Sequence, residues 1–129
     1  YGDMSRDFTY IDDVVDAIYK CCFKKPFSNK YFYDKTPEPS TSFAPHRIFN
    51  VGSNNPINLI SFIEQLENEL GVKAIKKMYP MQPGDVKSTF ADISKLQQWI
   101  DYQPNKSFNK GIHRFANWYK DYVGSNYYK

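Results

Sequence analysis

Histidine and cysteine are scarce in this chain of 129 residues, with two of each. Cys21 and Cys22 are adjacent, and neighbours in sequence rarely bridge because disulfide geometry strains the peptide link between them. With no third cysteine there is no disulfide framework, and a reducing cytoplasm is the expected compartment. His46 and His113 stand at no ligand spacing with the cysteines, so no metal site is expected. Neither histidine lies in a nucleophile setting, which argues against a self-sufficient hydrolase. Gly-x-Gly-x-x-Gly and Gly-Lys-Ser/Thr are both missing, so the chain has no phosphate cradle of the dinucleotide or P-loop kind. No apolar run approaches the ~20 residues that cross a bilayer, and no signal-peptide pattern is visible. Membrane attachment is not expected.

What the chain does have is aromatic residues, 18% of the total, with eleven Tyr and ten Phe. Its net charge is +3. The lysines are scattered rather than gathered into an arm or stripe, so nucleic acid is not an expected partner. A small soluble anion suits the same balance. The length predicts one domain over 1–129. The chain opens at Tyr1 directly on a motif, without a lead-in strand, and reads as a segment of something longer.

The periodicity predicts short strands alternating with three to four helices, an α/β or α+β lobe. Phe8–Ile11 reads as a strand, and Asp12 or Asp13 as the cap of a helix that ends near Lys24–Lys25 before Pro26. Val14, Ala17, Ile18 and Cys21 form its apolar stripe. Residues 26–46 contain four prolines and read as one long loop, more simply a surface excursion with aromatic anchors than a lid. Arg47–Val51 reads as a strand and residues 52–56 as a turn. Asn58 caps a helix through Leu70, with Leu59, Phe62, Ile63, Leu66 and Leu70 on one face and Gly71 as its stop. Val72–Met78 reads as a strand, 79–86 as a turn, Ser88–Ala91 as extended and Ile93–Ile100 as a short helix. Ser107 caps a last helix with Phe108, Ile112, Phe115, Trp118, Tyr119 and Tyr122 on its apolar face.

Two places can carry chemistry. In GDMSRDFTYIDDVVDA, Arg6 stands against Asp7, Asp12 and Asp13. In PMQPGDVKSTFAD, Gln82, Gly84 and Asp85 share a tight turn. A guanidinium, an amide and a carboxylate make a set suited to a nucleoside diphosphate, since guanidinium pairs with phosphate oxygens and carboxylate accepts from ribose hydroxyls. A local salt bridge at Arg6 and a plain turn at 82–85 remain the simpler reading of the residues alone.

GDMSRDFTYIDDVVDAI, RIFNVGSNNPINLISFIEQLENELG, MYPMQPGDVKSTFADISKL and GIHRFANWYKDYV together resemble the carboxy-terminal part of NAD-dependent nucleotide-sugar epimerases. These belong to the extended short-chain dehydrogenase/reductases, and the resemblance points within them to the UDP-glucuronate 4-epimerases, which include capsule-biosynthesis proteins. It covers essentially the whole chain in unbroken order. It implies the substrate-binding lobe of an enzyme that inverts C4 of UDP-glucuronate to UDP-galacturonate. In such enzymes NAD oxidises C4, the 4-keto sugar turns, and hydride returns to its opposite face. Arg6 is implied to contact the UDP phosphates and Asp85 the ribose. Gln82 stands where galactose enzymes commonly carry arginine. Phe8 and Thr89 stand where they carry tyrosine.

The resemblance also implies what lies elsewhere. The Rossmann domain with its Gly-rich NAD loop and Tyr-x-x-x-Lys pair is not in these residues, and YKDYVGSNYYK does not supply that spacing from Tyr119 or Tyr122. No catalytic or cofactor-binding residue is expected here, and the chain alone is expected to be inactive. The parent is expected to be a cytoplasmic homodimer. Parted from the Rossmann domain, the lobe is expected to expose apolar area and self-associate. The alternatives are a stand-alone nucleotide-sugar-binding or interaction module without catalysis, and an epimerase or decarboxylase for another UDP-sugar.

Overall fold

A computed structural model describes residues 2–33, 36–105 and 107–127, with the side chains of the last helix described to Gly124. The elements run β1 (Ser5–Arg6), α1 (Ile11–Cys22), β2 (Ile57–Asn58), α2 (Leu59–Leu70), α3 (Ser94–Ile100) and α4 (Phe108–Tyr127). This is the small mixed α/β lobe that the pattern predicts. Lys129, part of the C-terminal tyrosine–lysine segment, lies outside the described residues.

Helix ends follow their local chemistry. The Asn58 side chain accepts the Ile60 amide at 2.8 Å, and Gly71 stops α2 at φ 74° while its amide returns to the Glu67 carbonyl. Ser107 Oγ accepts the Lys110 amide at the start of α4. The start of α1 differs from expectation. Its N-cap is Tyr10, with no side-chain cap, and Asp12 and Asp13 lie inside the first turn. There they face the positive end of the helix dipole and serve tertiary contacts. Asp12 accepts from Arg114 Nη1 at 2.7 Å, and buried Asp13 accepts the Asn105 amide at 3.2 Å.

The strands are the larger correction. Only two-residue strands form, antiparallel, with Ser5 opposite Asn58 and Arg6 opposite Ile57. Phe8–Ile11, Arg47–Val51, Val72–Met78 and Ser88–Ala91 form no strand. Of these, Ser88 makes one parallel bridge to Ser5 and Arg47 one antiparallel bridge to Thr41. Residues 71–90 are exposed throughout. Apolar β-branched runs favour extended backbone, but a ladder needs continuous pairing, and among the described residues these segments make no more than single bridges.

The core is small. Ala17, Ile93, Leu96 and Tyr102 bury together under α1 and α3, with Phe49 and Val51 packed against them. A second cluster stacks Phe8 on Phe62 at 4.2 Å between ring centres, with Phe108 within 6.3 Å of both. Phe8 is thereby a packing residue that fastens the segment after β1 to α2 and α4. The expected apolar stripes survive only in part. Ala17 is buried on α1, whereas Ile18 is 59% exposed. On α4, Gly111, Ile112 and Ala116 pack inward, while Phe115, Trp118, Tyr119 and Tyr122 stack on one another at the surface. Gly111 admits the Tyr10 ring, which a Cβ there would meet at 3.2 Å, whereas the bulky residues further along α4 stay exposed. Glu69 ties α2 to α4 by accepting from His113 Nδ1 at 2.7 Å and by its carbonyl, which accepts from Lys120.

Among the described residues, no helix is long and apolar enough to cross a membrane, and no group of three or more potential ligands could hold a metal ion.

Candidate functional site

Arg6 sits half-buried in β1, and none of Asp3, Asp7, Asp12 and Asp13 pairs with it. Its Nη1 donates to the Ser5 carbonyl at 2.8 Å and the Lys87 carbonyl at 3.4 Å. Asp12 and Asp13 are engaged as described above. Asp7 points the opposite way from Arg6 along the extended chain and is fully occupied there.

The Asp7 carboxylate gathers a knot of donors. Oδ1 accepts the Ser53 hydroxyl at 2.5 Å, the Ser53 amide at 3.1 Å and the Asn55 amide at 3.3 Å. Oδ2 accepts the Ala91 amide at 3.1 Å and the Asn54 amide at 3.2 Å. Burial pushes its pKa up. The hydrogen bonds from the Ser53 hydroxyl and from the Ala91, Asn55 and Ser53 amides outweigh this and hold it below the ordinary 3.8. One side chain thus joins the segment after β1, the 52–56 turn and the strand-like run before α3.

That run carries the second half of the site. The Ser5 amide donates to the Lys87 carbonyl at 2.9 Å, the Thr89 amide to the Ser5 carbonyl at 3.2 Å, and the Asp7 amide to Thr89 Oγ1 at 3.2 Å. Ser5 and Ser88 share a hydroxyl–hydroxyl contact at 2.7 Å, and Lys87 pairs with Asp3. Two residues before Lys87 the chain turns: the Asp85 amide donates to the Gln82 carbonyl at 3.1 Å, with Gly84 at φ 93°. A side chain at Gly84 would strain this left-handed backbone. The Arg6 edge and the 82–85 turn are therefore tethered by consecutive rungs. The side chains of Gln82 and Asp85 are exposed and make no hydrogen bond or ion pair among the described residues, and no contact links them to Arg6. Thr89 spends its hydroxyl on the backbone of Asp7.

Gly52 lies under this knot. A Cβ there would meet Ala91 Cβ at 2.5 Å and Asp7 Oδ2 at 2.7 Å. Gly52→Ala is expected to cost about 1–3 kcal/mol, the range for overpacking. Urea denaturation checks it; an unchanged midpoint would show that the turn can move aside.

Sequence reasoning passed over Asp7 as an anchor, since nothing local signals a carboxylate whose donors lie more than 40 residues away. It also left out two Tyr-x-x-x-Lys spacings, Tyr31–Lys35 and Tyr102–Lys106. Both lysines fall outside the described residues, and neither tyrosine is in a helix, which that spacing needs to bring the pair together. Tyr102 is fully buried and donates to the Gly52 carbonyl at 3.2 Å. Burial first, then the charges of Asp13, Asp16 and Asp7, push its pKa up to about 12, the opposite of an activated base.

The residues also do not fit NAD. The chain has no Gly-rich strand–turn–helix, and the side chains of Asn58 and Ser107 occupy amides at the starts of α2 and α4 that a pyrophosphate would need.

No family model matches the chain. Over 122 residues it is 40% identical to Protein CapI of Staphylococcus aureus, covering 95% of the chain and 36% of that relative. It is also 40% identical over 119 residues to a probable UDP-glucuronate 4-epimerase of Rhizobium meliloti, covering 92% of the chain and 35% of the relative. A crystal structure of the UDP-glucuronic acid 4-epimerase of Bacillus cereus, in complex with UDP-glucuronic acid and NAD, superposes with a TM-score of 0.69. That match is 26% identical and covers 94% of the chain and 33% of the enzyme. The chain is homologous to part of the nucleotide-sugar epimerases. It spans about a third of the length of the curated relatives it matches.

Proposed function

We propose that this chain is the sugar-nucleotide-binding part of a longer NAD-dependent enzyme that inverts C4 of UDP-glucuronate, with Arg6 on the diphosphate and Gln82 and Asp85 beside the nucleotide. The observation that carries this reading is an arginine left without a carboxylate among the described residues although four aspartates lie within seven residues of it. Its backbone is pinned on both sides to the run that ends in the 82–85 turn. A cation fixed by backbone carbonyls keeps its remaining donors for a ligand oxyanion, and guanidinium matches phosphate geometry. The likeness to UDP-glucuronate 4-epimerases supports this choice of sugar and chemistry.

In this reading the lobe does no proton or hydride transfer. It contributes binding energy remote from the reacting carbon, which holds the UDP end in register while the sugar is free to turn. The reacting groups and the NAD site belong to the rest of the enzyme.

Arg6→Ala is expected to weaken UDP-glucuronate binding by ~1.5–3 kcal/mol, the loss of hydrogen bonds to a charged group, or roughly 10- to 150-fold in Kd. Isothermal titration of the chain, and of the longer enzyme, measures it; an equal Kd in mutant and wild type removes Arg6 from the phosphate role. Apolar side chains along α1 and at its C-cap, Ile11, Val15, Ile18 and Phe23, are each at least 55% exposed. The lobe on its own is therefore expected to self-associate with rising concentration. Sedimentation velocity decides this, and a monomer across the whole range counts against it.

A further inference from the structure

A second arginine is also left without a carboxylate among the described residues. Arg47 follows the 26–46 segment, which folds back on itself: the Asn29 amide donates to the Ser42 carbonyl, Asn29 Nδ2 donates to Thr41 Oγ1, and Thr41 bridges Arg47. The guanidinium lies 5.8 Å from the ring centre of Phe27 and 5.7 Å from that of Trp99. Its Nε is buried with no hydrogen-bond partner, and no carboxylate pairs with it among the described residues. Leaving a buried donor unpaired is unfavourable. Aromatic stacking rather than an ion pair holds this arginine in place.

Arg47 lines an open cleft of about 410 Å³ together with Trp99, Ser40, Gln98, Lys95 and Glu38. That volume is in the range of small-molecule sites, roughly 300–1,000 Å³. The charges on its rim are not equivalent. Lys95 is paired with Glu38, which also accepts from the Ser40 hydroxyl at 2.7 Å. Lys24, outside the lining, lies over the Trp99 ring and donates to the Trp99 carbonyl at 2.6 Å. One guanidinium is therefore left to meet a ligand's charge, while the Glu38 carboxylate opposes a dianion and can accept from hydroxyls. Ser40 and Gln98 add a hydroxyl and an amide, and Trp99 adds a flat apolar wall.

We propose that this cleft is a second binding site, for a sugar acid: a hydroxylated ring carrying a single carboxylate, which pairs with Arg47 while its hydroxyls meet Glu38, Ser40 and Gln98. The site shares no lining residue with the Arg6 edge and does not depend on the reading given for it.

Trp99 is one of two tryptophans, and Trp118 lies on the exposed face of α4, so a ligand in the cleft has a fluorescence reporter. The chain is titrated with D-glucuronate, with D-glucose as the neutral analogue and inorganic phosphate as the competing anion. D-glucuronate is expected to give a saturable change at least tenfold tighter than either comparison ligand. Arg47→Gln is expected to weaken it at least tenfold, and Trp99→Phe to abolish the signal. Gln98→Glu, on the exposed face of α3, adds a repelling carboxylate without touching the core and is expected to weaken binding by a similar factor. Arg6→Ala is expected to leave it unchanged. A flat D-glucuronate titration overturns the proposal. So does phosphate binding as tightly as D-glucuronate, or unchanged affinity in either Arg47→Gln or Gln98→Glu. A loss in Arg6→Ala equal to that in Arg47→Gln moves the ligand to the other site and overturns it as well.

Discussion

Replacing Asp7 with alanine is expected to remove at least ~3 kcal/mol of stability, a large share of the 5–15 kcal/mol typical of a domain. Asp7 accepts five hydrogen bonds from two segments far from it in the chain. Hydrogen bonds to a charged group contribute ~1.5–3 kcal/mol each, and exposed ones less. The Asn54 and Asn55 bonds are exposed, so the Ser53 hydroxyl, the Ser53 amide and the Ala91 amide carry the estimate. Alanine leaves those donors without an acceptor next to Gly52, where there is no room for a substitute side chain to move in. The same mutation is expected to abolish UDP binding, since the run that holds the Arg6 edge hangs from this knot. A urea midpoint within 0.3 kcal/mol of wild type would show that water replaces Asp7.

The pH dependence gives an independent check on the same residue. The folded Asp7 carboxyl is held below its ordinary value of 3.8, so its contribution is complete above that value and is lost as pH falls through the lower folded value. Glu38 and Glu67 act in the same direction. Hydrogen bonds from Lys95 and Ser40 hold Glu38 at about 2, and bonds from Lys73, Lys76 and the Ala74 amide hold Glu67 at about 2, against an ordinary 4.5. Wild type should therefore lose stability from pH 4.5 down to about 2. Asp7→Asn lacks the Asp7 share of that loss. The stability difference between Asp7→Asn and wild type is expected to shrink as pH drops below 3.8, because protonated Asp7 resembles the amide. A difference that stays constant from pH 6 to 3 would place the effect of the mutation outside the charge.

The helices were legible because their signals are local. Asn58, Gly71 and Ser107 punctuate the chain where their own side chains or lack of one act on the neighbouring backbone. Strands were not legible, because extended propensity at Val72–Met78 says nothing about whether another strand lies alongside. Apolar faces failed for a related reason. Ile18 and Trp118 sit at helical spacing with buried neighbours, yet burial depends on what packs across the helix, and α4 meets α2 through Phe108, His113 and Lys120. At the site, Arg6 could be singled out from its setting among aspartates, but only the fold shows that each aspartate is used elsewhere. Arg47 gave no signal at all: its rings, Phe27 and Trp99, are brought to it by the 26–46 segment and α3.

Tyr102→Ala is expected to cost about 3–5 kcal/mol, the range for emptying a large buried aromatic site. Tyr102 is fully buried among Ala17, Ile93 and Leu96, and its hydroxyl reaches the Gly52 carbonyl at 3.2 Å. Tyr102→Phe separates the two contributions: it keeps the ring and gives up one hydrogen bond, so about 1 kcal/mol should be lost. Urea denaturation of both variants tests the split, and equal losses would assign the whole effect to the hydroxyl. The geometry adds a consequence for binding. Gly52 touches Tyr102 on one side and would press on Asp7 from the other if it carried a side chain, so the core and the Arg6 edge meet at one turn. Tyr102→Phe frees that carbonyl without opening a cavity, and UDP-glucuronate affinity is expected to fall by less than threefold, far short of the Arg6→Ala loss. A larger fall would mean that the phenol hydroxyl, rather than Asp7, sets the position of the turn.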